Sequence, residues 1–180
     1  MEADTVLAAQ RGSEVAFGRL VDAFGARLQA IAHRILRDRE LAEDATQLAL
    51  IRMWKALPKL RDPERFEAWA YQLLVRACYA ESRRARPTSI VRLLDADEPT
   101  HDPMLQVADR DQLERAFQKL SIEHRAVVVL HHYMSLPVAE VAALLGIPVG
   151  TAASRLHYAM RALHAALDAA DRLVLLEATQ

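Results

Sequence analysis

Large apolar residues recur along most of this chain at steps of three and four, the period of an amphipathic helix. Phe17, Leu20, Val21, Phe24, Leu28, Ile31 and Ile35 place one long helix over about residues 13–37. Ser13 is positioned to cap its first turn, and Ala16 stands where the glutamate of a capping box would be. Nothing on this helix suggests chemistry, and it is assigned to scaffold.

The next helix, over about residues 40–57, has a different surface. Leu41, Ala45 and Leu48 make a core stripe, while Leu50, Met53, Trp54 and Leu57 lie on the other side. Only a narrow strip with Glu43, Asp44 and Gln47 interrupts the apolar surface, and Ile51 continues that strip. A helix apolar nearly all round must be covered by its own domain or by another protein. So few helices cannot easily enclose it, and a protein partner is the expected cover. A third helix over about residues 63–84 opens with Pro63 in its first turn, with Phe66, Trp69, Ala70, Leu73, Ala77 and Ala80 as its expected buried side. Arg65, Gln72, Arg76, Tyr79 and Arg83 form a single outward stripe, extended by Arg84 and Arg86. Such a stripe is either an ordinary solvated face or a surface for nucleic acid. In the second case the cations hold phosphates, the amide reaches a base edge and the aromatic ring stacks on an unpaired base.

Periodicity then lapses. Residues 87–109 carry Pro87, Pro99 and Pro103, with Asp95, Asp97, Glu98, Asp102 and Asp109 against a single Arg92. This composition cannot pack a core and reads as a flexible acidic tether, or as an acidic strand that imitates nucleic acid in a basic channel. Leu113, Phe117, Leu120, Val127, Val128 and Leu130 begin a second helical domain. Within it, Val138, Val141, Ala142 and Leu145 share a face, Gly146 breaks the run, and Ile147 and Pro148 lead into a further helix. That helix turns Ala152, Leu156, Ala159, Met160 and Leu163 inward and Thr151, Ser154, Arg155, Tyr158 and Arg161 outward. Two helices at this spacing form either a plain hairpin or a helix-turn-helix able to enter a DNA major groove. The expected fold class is therefore all-α. It comprises two small helical domains, 1–86 and 110–180, joined by the 87–109 linker, the second a helix-turn-helix domain.

Composition narrows the functional classes. The net charge of −1 rules out bulk electrostatic attraction as the basis of DNA binding. Between positions 141 and 167, however, there is no Asp or Glu, while Arg155, Arg161, His157 and His164 lie there. So thin a positive surface binds DNA weakly and loses it readily as salt rises, which calls for a second contact or a partner. The single cysteine, Cys78, excludes an internal disulfide and fits a reducing compartment as a buried, inert thiol. The start of the chain lacks the basic and apolar regions of a signal peptide, and no uncharged apolar stretch is long enough to span a membrane, so a cytoplasmic protein is expected.

Three motifs in order resemble one family. The run from Asp38 to Gln47 with Leu50, Met53 and Trp54 resembles the polymerase-binding helix of bacterial sigma factors. Phe66, Trp69 and Tyr71 through Arg83 and Arg84 resemble their promoter-melting helix. Leu120 to Arg125, Glu140 to Ala142, Leu145 to Ile147 and Gly150 to Leu156 resemble their C-terminal promoter-binding domain. With only these two domains, the chain resembles the extracytoplasmic-function (ECF) group. The resemblance implies a dissociable specificity subunit of core RNA polymerase that binds promoter DNA and is held by an anti-sigma protein, with no cofactor and no catalysis of its own. It further implies that Asp44, Gln47, Leu50, Met53 and Trp54 dock on polymerase. Arg61, Asp62, Trp69, Gln72, Arg76, Tyr79, Arg83 and Arg84 would capture and open the −10 element. Thr151, Ser154, Arg155, Tyr158 and Arg161 would read the −35 element as duplex.

The chain departs from the family pattern in places. Arg76 stands where Asn is frequent and Ala80 where an acid is, so base preference at −10 does not carry over. Ala153 and Tyr158 replace frequent cations in the recognition helix, which implies lower −35 affinity. Leu48 replaces an acid beside Gln47, and Pro137 and Pro148 replace capping serines, each expected at a first helical position. Two other classes also fit parts of the chain. One is a stand-alone helix-turn-helix regulator with an N-terminal dimerisation or sensor domain. The other is a metal site on His124, His131 and His132; adjacent histidines cannot share a face, and no carboxylate pair or second cysteine completes the set.

Overall fold

The computed structural model describes residues 3–85 and 107–177, with side chains for 3–85 and 113–168. The chain divides into two compact units, Met1–Asp95 and Ala96–Gln180. Every regular element among the described residues is helical. The expected tether falls almost wholly outside those residues, although its last positions, 107–109, already belong to a helix.

The N-terminal unit contains α1 (Ala3–Gln10), α2 (Glu14–Leu36), α3 (Arg39–Ala56) and α4 (Phe66–Arg84). Helix α1 was not anticipated. It ends at Gly12 (φ 90°), where the Gly12 N–H reaches Ala9 O at 3.0 Å and the Ser13 N–H reaches Ala8 O at 3.2 Å, the paired bonds of a Schellman cap. The Ser13 side chain then accepts the Ala16 N–H, so a single residue closes α1 and opens α2. Two residues suffice for the next junction. Arg37, in the left-handed region at φ 58°, ends α2, and Asp38 Oδ1 accepts the Leu41 N–H at 2.9 Å to start α3.

Packing of α3 differs from the expected stripe. Its buried side is Ala42, Ala45, Thr46, Ala49 and Met53, and Leu41 and Leu48 are only half-buried. Alanines at these steps let α3 approach α2 and α4 closely, and the Thr46 hydroxyl donates to Ala42 O at 2.8 Å, so its burial leaves no donor unpaired. Helix α4 is rotated in the same sense: Phe66, Ala70, Tyr71, Leu74, Val75, Ala77, Cys78 and Glu81 are buried, whereas Trp69, Leu73 and Ala80 are half-buried. Leu28, Ile31, Ile35, Met53, Leu57 and Leu74 fill the centre, with Phe24 edge-on to Phe66 at 5.9 Å.

The C-terminal unit contains α5 (Val107–Lys119), α6 (Ile122–Val128), a π-helical turn (Val129–Tyr133), α7 (Val138–Leu145) and α8 (Val149–Glu177). Leu120, Val128, Ala159 and Leu163 form a core against which Leu113, Phe117, Leu156 and Met160 pack. Helix α7 buries Val141, Ala142 and Leu144; Leu145, placed on that face by spacing, is half-buried. No single described helix is long and apolar enough to cross a membrane.

Candidate functional site

Three surfaces carry the residues singled out from sequence. On α3, Asp44, Gln47, Ile51 and Trp54 follow one another at steps of three, four and three, and all are exposed. They therefore line one outer stripe. Ile51 is 51% exposed, although it is a large aliphatic residue in the middle of a well-packed helix. Trp54 leans on Phe17 of α2, ring centroids 4.9 Å apart, which fixes the indole while leaving its outer edge in solvent. Two expected members of this surface are less exposed than the rest of it. Met53 is 2% exposed and belongs to the core, because it shares the alanine face of α3; Leu50 is half-buried.

The second surface comprises α4 and the segment before it. Residues 57–65 form two short 3-10 turns, Leu57–Lys59 and Pro63–Arg65, with Arg61 and Asp62 exposed between them. Asp62 Oδ1 accepts the Glu64 N–H at 3.0 Å, so one carboxylate oxygen caps the turn that leads into α4. Along α4, Arg76 and Arg83 are exposed and Trp69 and Gln72 half-buried. Trp69 packs on Phe66 at 5.8 Å. Tyr79 departs from the expected stripe, since the residue is half-buried and its hydroxyl oxygen lies inside. Arg84 is exposed but shares its charge with the buried Glu81 carboxylate at 3.6 Å. Arg61, Arg65, Arg76 and Arg83 are exposed cations of this surface.

The third surface is the helix-turn-helix. Gly146 adopts φ 67°, the left-handed region that glycine enters without strain. Its N–H reaches Ala143 O at 3.3 Å while the Ile147 N–H reaches Ala142 O at 3.0 Å, closing α7 in a second Schellman cap. The chain then turns by 111° into α8, within the range of DNA-binding helix pairs. Pro137 and Pro148 stand one place earlier than expected. Pro137 is the residue preceding α7 and its carbonyl accepts from Glu140 and Val141; the Pro148 carbonyl accepts from Thr151 and Ala152. Neither needs an N–H there, and both fix φ as the helix begins.

Helix α8 follows the expected faces in part, with Thr151, Arg155, Leu156 and Met160 at intermediate depth. Ala152, Ala159 and Leu163 are buried, Ser154, Tyr158 and Arg161 exposed, and Thr151 and Arg155 half-buried. The Ser154 hydroxyl donates to Thr151 O at 3.0 Å, so towards a ligand it offers lone pairs only. Tyr158 is 61% exposed, and its ring lies 4.7 Å from that of His124 on α6. Burial, and then the charge of Arg155, lower the pKa of His124; the Glu123 carboxylate opposes them more weakly. His131 donates from Nδ1 to Leu136 O at 2.7 Å, a role that orders the turn before α7. Among the described residues, no three His, Cys, Asp or Glu side chains converge as a metal site would require.

Gln10 and His124 escaped the sequence reading as site-building residues, because each acts on a position remote in the chain. Glu81 escaped as the partner of Arg84, although their i,i+3 spacing was a usable signal.

Comparisons with known proteins agree with this arrangement. Residues 20–88 match the family model for sigma-70 region 2, and residues 110–163 that for sigma-70 region 4. The chain is 35% identical over 154 residues to the ECF RNA polymerase sigma factor SigL of Mycobacterium tuberculosis, covering 83% of this chain and 87% of that protein. It is 23% identical over 168 residues to the ECF RNA polymerase sigma factor SigW of Bacillus subtilis, covering 86% and 90%. The structure of CnrH, solved in complex with the cytosolic domain of CnrY, superposes with a TM-score of 0.65 at 28% identity, covering 93% of this chain and 99% of that one. The sigma factor RpoE of Bartonella quintana, solved with the anti-sigma factor NepR, shares the fold with a TM-score of 0.66 at 19% identity, covering 84% and 96%.

Proposed function

The chain belongs to the sigma-70 family of RNA polymerase sigma factors, in its ECF group, and from that premise we propose how its three surfaces divide the work of initiation. The exposed stripe of α3, Asp44, Gln47, Ile51 and Trp54, docks on core polymerase, with Leu50 at its margin. Arg61, Asp62, Trp69, Gln72, Arg76 and Arg83 engage the −10 element, with Arg84 at the edge of that surface. Tyr79, half-buried, lies at the edge of that surface as well. Thr151, Ser154, Arg155, Tyr158 and Arg161 read the −35 element from the major groove.

The observation that carries this reading is the α3 stripe. It leaves a half-exposed isoleucine and a propped tryptophan edge beside an acid and an amide, the composition of an interface rather than of a solvated face. Each DNA grip is weak, and polymerase makes them act together by holding both near one promoter, so effective concentration multiplies their contributions. Unstacking a base costs a few kcal/mol, and the −10 surface offsets that cost by binding the exposed base. The chain works in the cytoplasm and performs no bond chemistry; phosphodiester formation belongs to the polymerase. CnrH and RpoE, whose structures hold CnrY and an anti-sigma factor, support a protein partner of the anti-sigma kind for this chain.

The test is retention of core polymerase by the immobilised chain, followed by transcription from a promoter library. Wild type is expected to retain polymerase and to start transcription selectively, and Asp44→Ala with Gln47→Ala to lose most of both. Failure of the wild-type chain to form a holoenzyme overturns the reading and favours a stand-alone regulator.

A further inference from the structure

Residues 57–65, which carry Arg61 and Asp62, have little structure of their own. Two three-residue turns flank Leu60, which is extended at φ −67° and ψ 116°. Two of its carbonyls are met from outside, one of them, Leu57 O, also accepting the Leu60 N–H at 3.0 Å. Gln10, the last residue of α1, donates from Nε2 to Leu57 O at 3.2 Å and to Leu60 O at 2.7 Å. One amide thus uses both its protons on the two carbonyls that bracket the first turn.

Gln10 is held firmly enough to act as an anchor. Val6 and Ala9 of α1 are buried at 1% and 2% exposure, so the helix is docked rather than fraying. Ser13 joins α1 to α2 with no slack, as described above. The tie runs from a docked helix, across fifty residues of sequence, to the segment that presents Arg61 and Asp62.

We propose that Gln10 is a positioning residue for −10 capture: it fixes residues 57–60 so that Arg61 and Asp62 meet the unstacked promoter strand in a set geometry. The inference rests on the assignment of that segment to the −10 element. Without the tie, the segment samples several arrangements, and the entropy of ordering it is charged to promoter opening. Holoenzyme assembly, which uses the outer stripe of α3, is untouched.

The test compares wild type, Gln10→Leu, which removes the donors, and Gln10→Lys, whose ammonium can reach two carbonyls. Each is assembled with core polymerase on a promoter selected from a random library by the wild-type holoenzyme. Strand opening is followed by permanganate reactivity at the −10 position, core binding by titration, and folding by thermal melting, all well below the melting temperature of the weakest variant. Gln10→Leu is expected to open the promoter about tenfold less at unchanged core affinity, the scale of losing two hydrogen bonds, with Gln10→Lys restoring most of the loss. Unchanged opening in Gln10→Leu overturns the proposal, as does a loss matched by weaker core binding and not relieved by lysine. Arg61→Ala with Asp62→Ala is the control for the underlying assignment. If that pair opens the promoter normally, the segment does not engage the −10 element and the inference falls with it. If the pair fails while Gln10→Leu does not, only the role of Gln10 is lost.

Discussion

The imidazole of His124 lies against the phenol of Tyr158, ring centroids 4.7 Å apart and planes 33° from parallel. This tilted ring contact links α6 to the outward face of α8, and it sets the direction of a tyrosine that is otherwise largely in solvent. Ser121 Oγ lies 2.8 Å from His124 Nδ1, so the ring is held on a second side as well.

That environment gives His124 a pH signature. Folding lowers its pKa from 6.5, through burial first and Arg155 second. Below that value the unfolded chain binds a proton that the folded chain resists, so stability increases with pH up to about 6.5 and then levels off. Unfolding of wild type and His124→Phe at pH 5.5 and 7.5 checks this. Wild type should lose more stability on acidification than the phenylalanine variant, which keeps the ring contact without the titration. Equal losses would assign the pH dependence to other groups.

Arg161 is an exposed cation on the face proposed for duplex DNA. Arg161→Ala should leave stability within about 0.5 kcal/mol of wild type. In the holoenzyme, it should reduce the slope of log affinity against log salt by about one for a −35-containing duplex. Titration at several salt concentrations measures that slope, and an unaltered value would remove Arg161 from the phosphate contacts.

Met53 and Trp54 are adjacent in sequence and opposite in role. Met53→Ala opens a cavity in the N-terminal core and should cost about 2–5 kcal/mol, visible in a chemical melt. Trp54→Ala, at a residue that leans on Phe17 but keeps a solvent edge, should weaken holoenzyme formation by about tenfold or more while costing less stability. The reverse pattern would return Met53 to the docking surface.

This pair also shows what was legible in the chain. Caps and breakers act locally, so Ser13 and Gly146 marked helix ends to within a residue or two, whereas the cap supplied by Asp38 went unread. The faces of α3 and α4 were less legible, because stripes of large residues point to the core only when the neighbouring helix stands at the usual distance. Here Ala42, Ala45, Ala49, Ala70 and Ala77 let the helices approach closely, and the buried faces turn toward the alanines. Helix α1 was missed because its eight residues carry few large apolar side chains, so periodicity had little to register. The ties from Gln10 to Leu60 and from His124 to Tyr158 are tertiary, and no local pattern encodes them.

Tyr71 tests the same core from its polar side. Its ring packs 6.3 Å from that of Phe24 and lies under the Arg27 guanidinium, and burial raises its pKa. The hydroxyl oxygen is buried without a hydrogen bond among the described residues. Tyr71→Phe keeps the ring and removes that oxygen, so the variant should be as stable as wild type or more stable by about 1 kcal/mol. A loss of that size instead would show that the hydroxyl has a partner in solution.

Cys78 is fully buried on α4, and burial pushes its thiol up to about 12. Thiolate is the reactive form, so at neutral pH a disulfide reagent must wait for the helix to open. Labelling of the native chain should therefore proceed at the rate of N-terminal unfolding and accelerate with urea in step with the loss of helicity. Core polymerase, by binding the folded unit, should slow it further. Rapid labelling of the native chain would mean that α4 separates from α3 without global unfolding, and the face proposed for the −10 element would then belong to a mobile helix.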